Sequence, residues 1–423
     1  MKGEQRINPF QEPDLKIFFP AVFLALVALA GCRVDTSGSD DQAAGLHAEF
    51  DQLRSDYLAD YWQHHPVQAA SAGQMAFHDR LPAMTVADIN HQIEQIQTSL
   101  NQLESLPVDQ ISDPTRQNEW YRLRSHARER LLNLDELKQW QRDPGLYVPV
   151  TAFEILLDPA TGPAMERAGW LLARLHQLPI LLDAGRENLN QPPQRFTLDA
   201  IQRADSLAQL IDQELPKLAD GASEFGNELV MAGEMAASEL RSFSRHLREQ
   251  VLPDSIESAA IGRDLYQRYL VEVHQINFPP EAIITSARHE FADIEHELTL
   301  LAAEHGDETN WAEVLESLAQ SPDPTDSEQI ERGRRLTRLA DEVLQSARIV
   351  LDARIHTGQI SVDEARHFLS DHLHMAHDRT GREVRQLLDH PGSVFATGNR
   401  QLSTRLLAEV LDPISADERL EEY

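Results

Sequence analysis

The sequence predicts an all-α protein, a bundle of long helices joined by proline-rich connecting loops, with few or no strands. Apolar residues recur every three or four positions through most of the chain, which is the period of a helix with one buried face. Prolines fall mostly between these stretches, and no long alternating Val/Ile/Thr run indicates a central strand. The predicted helices are Ala43–His64, Val86–Leu106, Pro114–Leu134, Met165–Asn190, Leu198–Ala219, Glu224–Val251, Pro280–His305, Glu328–His356 and Val362–Leu373.

Two of these helices have clear start signals. Thr85 precedes an apolar face that includes Ile89 and Ile96, so its side chain is placed to cap the first turn. Asp113 and Pro114 combine a capping side chain with a proline in the first turn, where a missing N–H costs nothing. We therefore expect helices to begin at residues 86 and 114.

The N-terminus differs from the rest of the chain. Ile17–Ala30 is a 14-residue apolar stretch, too short to span a bilayer, and it leads into Gly31 and Cys32. Small residues before a cysteine resemble the bacterial lipoprotein signal, in which that cysteine is acylated. This resemblance implies that residues 1–31 are a signal peptide and that Cys32 carries the lipid. The Ser-, Gly- and Asp-rich residues 32–45 are expected to form a flexible tether.

The resemblance to lipoproteins also implies a location. The residue after the cysteine is Arg33, whereas the inner-membrane retention signal of enteric bacteria has Asp there. We therefore expect a cell-envelope protein, held by its lipid at the outer membrane and facing the periplasm. The acyl chains would supply membrane anchorage without a spanning helix.

The mature chain divides at one polar, proline-bearing segment. Ser321–Glu328 (S-P-D-P-T-D-S-E) is a natural linker between an N-terminal helical domain, residues 46–320, and a C-terminal helical segment, residues 329–423, expected to pack on it. A second segment, Trp140–Pro163, has four prolines and two glycines. We expect it to be an ordered loop at the edge of the core.

Charge and composition exclude several classes of function. The chain has 38 Lys and Arg against 69 Asp and Glu, a formal net charge of −31, which would repel the phosphates of a nucleic acid. One cysteine excludes a disulfide framework and any multi-cysteine metal site. The expected partners are therefore the membrane, through the lipid, and a peptide or envelope protein, but not nucleic acid.

Several short patterns, in order along most of the mature chain, resemble the bacterial family called domain of unknown function 885. They are Trp140–Tyr147 (W-Q-R-D-P-G-L-Y), Leu178-Pro179, Ala184–Leu189, Pro192-Pro193, Phe196-Thr197, Ala200-Ile201, Leu252-Pro253, Ile261-Gly262, Tyr266, Ala347-Arg348, Asp352, His356, Ser361, Glu364-Ala365 and Pro391-Gly392. The resemblance implies a secreted or lipid-anchored, mostly helical protein related to zinc peptidases. It also implies an H-E-x-x-x-G-H-H-like metal segment, which this sequence lacks.

Three residues near the C-terminus are the candidate contacts in a cleft. Arg348, Asp352 and His356 are spaced at four-residue intervals, so they share one face of a helix. In the family this face looks toward the active site, where the Asp would orient the His and the Arg would bind a substrate carboxylate. The alternative interpretation is a ladder of ion pairs on a helix surface.

Two groups of histidines are candidates for metal ligands. His372, His374 and His377 are weak candidates, because two of them could share a helical face and chelate an ion. His289 and His296 lie seven residues apart, about 10 Å along a helix, which is too wide for one shared ion. Surface histidines are the simpler interpretation of both groups.

Three hypotheses about function follow. The leading one is a lipid-anchored, non-catalytic relative of a zinc-peptidase-like family, needing no cofactor, that binds a peptide or protein partner. The alternative is a metal-dependent peptidase or hydrolase with a rearranged zinc site, built from His356 and the histidines at 372–377. A third is a damaged gene product that does not fold cooperatively.

Overall fold

The computed structural model describes residues 37–221, 226–304, 311, 314, 327–373 and 375–396. Within these residues the chain forms fifteen α-helices and no sheet, which confirms the all-α prediction. A single isolated β-bridge joins Pro193 and Ile256. None of the helices in this part of the chain is long and apolar enough to cross a bilayer. Cys32 and His374 lie outside the described residues.

In the N-terminal part, helices α1, α3 and α4 pack against one another. The helices of this part are Ser37–His64 (α1), Pro66–Ser71 (α2), Val86–Ser105 (α3) and Pro114–Leu131 (α4). The predicted caps are present, since Thr85 accepts from Asp88 N and Asp113 accepts from Thr115 N. Trp120 and Phe50 are among the side chains that these helices bury between them.

Helix α1 begins earlier than expected. It starts at Ser37, inside the segment predicted as a flexible tether, residues 32–45. Ala43 and Ala44, in the same segment, are strong helix formers. The second half of the predicted tether is therefore helical.

The central part holds a large apolar core within residues 81–247. Its helices are Gln139–Arg142 (α5), Val150–Leu157 (α6), Ala164–Asn188 (α7), Gln194–Gly221 (α8) and Gly226–His246 (α9). Helix α8 packs against α9, and α9 packs against α7. Gly233 allows the first contact to be close, because a Cβ there would lie 2.5 Å from Leu215 Cδ1.

The segment Trp140–Pro163 is not the loop that its prolines suggested. It contains α6 and two 3₁₀ turns, and its Tyr147 and Phe153 are fully buried. Pro144 and Pro159 each stand at the first position of a 3₁₀ turn, where proline starts a helical turn instead of breaking one. The prediction of a loop was wrong because it treated the prolines of this segment as breakers.

Two buried arginines on α7 hold this segment in place. Arg167 donates from Nη1 to the carbonyls of Leu156 and Leu157, at 3.1 and 3.0 Å. Arg174 donates to the carbonyl of Ala152, and its Nη2 lies 3.3 Å from the carbonyl of Phe77. The arginines thus satisfy carbonyl groups of α6, some of them at its C-terminal end, where no helical N–H follows.

The C-terminal part has its own continuous core, which runs from Ala259 to Phe395 and includes Phe196. Its helices are Arg263–Arg268 (α10), Pro280–Ala303 (α11), Ser327–His356 (α12), Val362–Asp371 (α13), His377–Asp389 (α14) and Ser393–Ala396 (α15). Helices α11 and α12 share this core. The core therefore does not divide at residue 320, where the linker led us to end the first domain.

An ion pair joins the central and C-terminal parts. Arg385, on α14, bonds to the carboxylate of Asp143, which is only 1% exposed, and also to Asp389 at 2.9 Å. The Arg385 guanidinium lies 5.0 Å from the centroid of the Phe196 ring. The family-like W-Q-R-D-P-G-L-Y segment is thus linked to a helix that lies 242 residues further along the chain.

Candidate functional site

The three candidate residues on α12 share one helical face but differ in how deeply they are buried. Asp352 and His356 are 1% and 0% exposed and face the C-terminal core. Arg348 lies one turn earlier, at the edge of that core, with a side chain 26% exposed. The shared helical face predicted from their spacing is present, and it is covered by other helices.

Asp352 is held by donors from two other segments. Tyr266 Oη, from α10, donates to Oδ2 at 2.7 Å, and the backbone N–H of Gly392 donates to the same oxygen at 2.9 Å. Burial raises the pKa of the Asp352 carboxyl to about 7, although both donors oppose that shift. Tyr266 and Gly392, which both belong to the family-like patterns, therefore bind the side chain of Asp352, which belongs to them too.

His356 is a neutral histidine in this core. Its Nε2 donates to the carbonyl of Leu387 at 3.0 Å, so the proton is on Nε2, while Nδ1 is buried with no partner in the described structure. Burial lowers the pKa of His356 to about 4. The ring stacks on Tyr266 with centroids 5.5 Å apart, and Nε2 lies 3.5 Å from Asp352 Oδ1.

Arg348 is already paired with a carboxylate of the protein. Its Nε and Nη2 donate to the two carboxylate oxygens of Glu383, on α14, at 2.8 and 2.7 Å. Glu383 is 12% exposed on its side chain and also lies 3.7 Å from Arg379. The edge of Arg348 that would bind a substrate carboxylate is thus occupied.

The predicted cleft face is therefore an internal joint. The segment Pro391-Gly392 and helix α14 lie over Asp352 and His356, and α10 supplies the stacking tyrosine. A buried neutral imidazole and a buried carboxyl can tie these elements together, but neither meets solvent in this arrangement. The spacing places the three residues on one face of a helix, but it carries no information about the later segments that cover that face.

The candidate metal ligands that the structure describes are mostly surface histidines. His372 and His377 are both exposed, and the ring of His372 stacks on Phe368 with centroids 4.8 Å apart. His289 and His296 are exposed on α11. Across the part of the chain that the structure describes, no three His, Cys, Asp or Glu side chains are grouped to hold an ion. His356 offers no accessible ring nitrogen, and His374 lies outside the described residues, so the histidines that the structure describes do not by themselves form the expected zinc set.

A second polar cluster, missed by the sequence analysis, lies between α1 and α4. Tyr57 Oη lies 2.9 Å from His126 Nδ1 and accepts from Arg130 Nη1 at 3.4 Å. Tyr61 stacks on His65 with centroids 4.3 Å apart, and the Arg130 guanidinium lies 5.1 Å from the Tyr61 centroid. The signal was the run Y-L-A-D-Y-W-Q-H-H at residues 57–65, which is unusually rich in aromatic and imidazole groups.

The fold and these two sites define a class: an all-α protein of stacked long helices with a buried Tyr–Asp–His joint near its C-terminus. The match to a known family is direct. The chain belongs to the family described as bacterial protein of unknown function, DUF885, whose model matches residues 66–332. No functionally curated protein matches the sequence.

Two solved structures are similar in fold. A candidate lipoprotein of unknown function from Shewanella oneidensis superposes with a TM-score of 0.67 at 12% identity, covering 86% of this chain and 94% of that one. A candidate lipoprotein from Colwellia psychrerythraea gives a TM-score of 0.60 at 12% identity, covering 86% and 93%. At this identity the likeness establishes the shared fold.

Proposed function

We propose that this protein is a lipid-anchored component of the bacterial cell envelope that binds a peptide or protein partner without hydrolysing it. The observation that carries the proposal is the engagement of Arg348, Asp352 and His356 inside the protein. Each has partners within the chain, and the two that could transfer protons are buried from solvent. A retained helical scaffold with these groups closed off favours binding over hydrolysis.

The anchor is supported by the sequence and by the fold relatives. Cys32 follows Leu29-Ala30-Gly31 in the lipoprotein-like pattern, and the two similar structures described above belong to candidate lipoproteins. We infer that Cys32 is acylated and holds the protein at the outer membrane, facing the periplasm. Metabolic labelling with a fatty acid tests this, with Cys32→Ser expected to lose the label and to leave the membrane fraction.

The non-catalytic part of the proposal is tested on the full-length protein. Purified protein is incubated with a library of unmodified peptides, with added zinc in one sample and a chelator in another, and bound metal is measured in parallel. We expect no cleavage above that of buffer and less than stoichiometric zinc. Chelator-sensitive cleavage together with stoichiometric zinc would overturn the proposal and support a rearranged hydrolase.

That rearranged hydrolase makes its own prediction for the same assay. If His372 and His377 held the ion, replacing both by alanine would remove metal and activity together. Replacing the exposed His289 and His296 would serve as the matched control, because it removes equally accessible histidines from another helix.

A further inference from the structure

A small, half-open pocket lies where α1, α3 and α4 meet, away from the Tyr–Asp–His joint. It has about 190 Å³ of empty space, part of which is open to solvent. Because that volume includes open solvent, the enclosed part is far smaller than a pocket for a whole small molecule, and it has room for one small functional group only. Its lining side chains are mainly polar and come from all three helices; they include Tyr57, His64, Gln92, Gln95, Ser99 and Arg130.

Arg130 is the unusual member of this lining. It is 8% exposed, and one of its terminal nitrogens, Nη1, donates to Tyr57 Oη. The other two nitrogens, Nε and Nη2, are buried and have no acceptor among the described residues. A buried N–H without an acceptor costs free energy, and the cost is larger for a charged group. This guanidinium would therefore gain from an acceptor brought by a ligand.

Other arginines of this chain show what the Nε and Nη2 edge of a guanidinium binds. Arg348 uses Nε and Nη2 for both oxygens of Glu383, at 2.8 and 2.7 Å. Arg263 uses the same two nitrogens for Glu281, at 2.7 and 3.0 Å. Two parallel N–H groups match a planar pair of oxygens, which is the geometry of a carboxylate. In Arg130 the same edge is unpaired.

The neighbouring imidazoles do not compete for an anion. Burial, aided by the positive charge of Arg130, lowers the pKa of His65 to about 3 and that of His126 to about 4, so both rings are neutral. Burial also lowers the pKa of His64, although its bond to Gln95 opposes the shift. Arg130 is thus the fixed positive charge of this pocket.

The nearby carboxylates leave that charge unpaired. Asp60 also lines the pocket, yet within the described structure no carboxylate forms an ion pair with Arg130. Glu129, the residue before Arg130 on α4, pairs instead with His390 at 3.1 Å. A single guanidinium in a protein of net charge −31 suits a singly charged group better than a phosphate dianion.

We propose that this pocket binds the carboxylate of a ligand, with its two oxygens on Nε and Nη2 of Arg130 and with Gln95 and Ser99 beside them. The inference deepens the proposed function, and rests on it for the view that the ligand is bound and not cleaved. The C-terminus of a peptide and a small organic acid offer the same group. Ile96 gives the pocket an apolar wall for the carbon chain next to it.

Calorimetric titration of the full-length protein distinguishes these sources. The probes are sodium acetate, trialanine with a free C-terminus, and the same tripeptide as its C-terminal amide. We expect the free acid to bind and the amide to bind at least tenfold more weakly, because a bidentate charged pair is replaced by a neutral contact. Binding of acetate alone would support the pocket and identify a small acid as the ligand.

Substitutions in and near the pocket test whether the ligand binds at Arg130. Arg130→Gln is expected to abolish binding of the free acid, while Arg122→Gln, an exposed arginine on the same helix, keeps it. If Arg130→Gln does not fold, as judged by circular dichroism, Ser99→Phe fills the pocket from α3 and leaves Arg130 in place. Equal affinity for acid and amide, or binding that survives both Arg130→Gln and Ser99→Phe, would overturn the inference. Neither result depends on whether peptides are cleaved.

Discussion

Single residues decide how the C-terminal segment closes over α12. Asp352 accepts from the backbone of Gly392 and from Tyr266. One carboxyl therefore holds two residues that lie 126 positions apart in the sequence. Gly392 has a φ of +79°, which favours glycine. A side chain at this position would meet both a strained backbone and crowded neighbours.

Gly392→Ala should therefore destabilise the protein more than the same change at another glycine with positive φ. A Cβ at Gly392 would lie 2.9 Å from His274 Cδ2 and 3.0 Å from Leu270 Cδ2, whereas nothing lies within 4 Å at Gly73, whose φ is +85°. We expect about 1 kcal/mol for Gly73→Ala from backbone strain alone, and about 2–4 kcal/mol for Gly392→Ala. Urea unfolding measures both, and equal losses would contradict the packing argument.

The ionisation of Asp352 makes stability depend on pH. Its folded-state pKa, about 7, lies above the ordinary 3.8. Its contribution is thus fully present below about pH 4 and is lost as the pH rises to about 7. His356 acts in the opposite sense, because its folded pKa of about 4 lies below the ordinary 6.5 and stability rises between these values. In the native protein the two effects largely cancel over that interval.

The variant Asp352→Asn should separate the pH effect of Asp352 from that of His356. At pH 4 the variant resembles the protonated carboxyl and should be about as stable as the native protein. At pH 8 it should be more stable by about 1–4 kcal/mol, because no charge is buried. Urea unfolding at several pH values measures this, with the exposed Asp341→Asn on the same helix as the control. A stability difference that does not vary with pH would count against a raised pKa.

At the scale of an element, local sequence signals fix where helices begin. Thr85 and Asp88 form a capping box at the start of α3, and Ser361 and Glu364 form another at the start of α13. Each pair satisfies backbone N–H groups that have no partner within the helix. Such local bonding is why helix starts could be read from the sequence.

Thr85→Ala should cost about 1 kcal/mol of unfolding free energy, because the alanine cannot accept from Asp88 N. Thr98→Ala, in the exposed middle of the same helix, is the matched control, since its hydroxyl only bonds back to Glu94 O. We expect that change to have little effect or to stabilise α3 slightly. The midpoints of urea unfolding of the two variants measure this difference. Equal losses for Thr98→Ala and Thr85→Ala would contradict the capping role of Thr85.

Most long helices were predictable, whereas the short ones and the sites were not. Periodicity and caps gave the limits of α3, α11 and α12 to within about two residues, because those signals are local. Helix α6 was missed because its segment contains so many prolines. The burial of His356 and the pocket at Arg130 arise where separate helices meet, and spacing along one helix does not contain that information.

At the scale of the whole molecule, the ion pair between Asp143 and Arg385 connects the central and C-terminal cores. Asp143 Oδ1 accepts from Gly145 N at 2.8 Å. The other carboxylate oxygen, Oδ2, accepts from Arg385. Removing the arginine would leave a buried carboxylate without its cation. The stability of the central core therefore depends on a residue of α14.

Arg385→Gln should lower the free energy of unfolding by about 3 kcal/mol, as expected when one partner of a buried pair is lost. Arg241→Gln breaks the pair between Arg241 and Asp212, whose side chains are 51% and 40% exposed, and should cost less than about 1 kcal/mol. Urea unfolding followed by circular dichroism compares the two. Similar losses would mean that the pair with Asp143 is as weak as a surface pair.

The link between Asp143 and Arg385 also bears on the order of events during synthesis. The ribosome makes Asp143 first, and its cation follows 242 residues later. Until then the W-Q-R-D-P-G-L-Y segment would have to bury an unpaired carboxylate, so a stable central core is disfavoured in the nascent chain. The central core is thus expected to gain its full stability only after α14 has been made. A chain that must cross a membrane unfolded would benefit from such a delay.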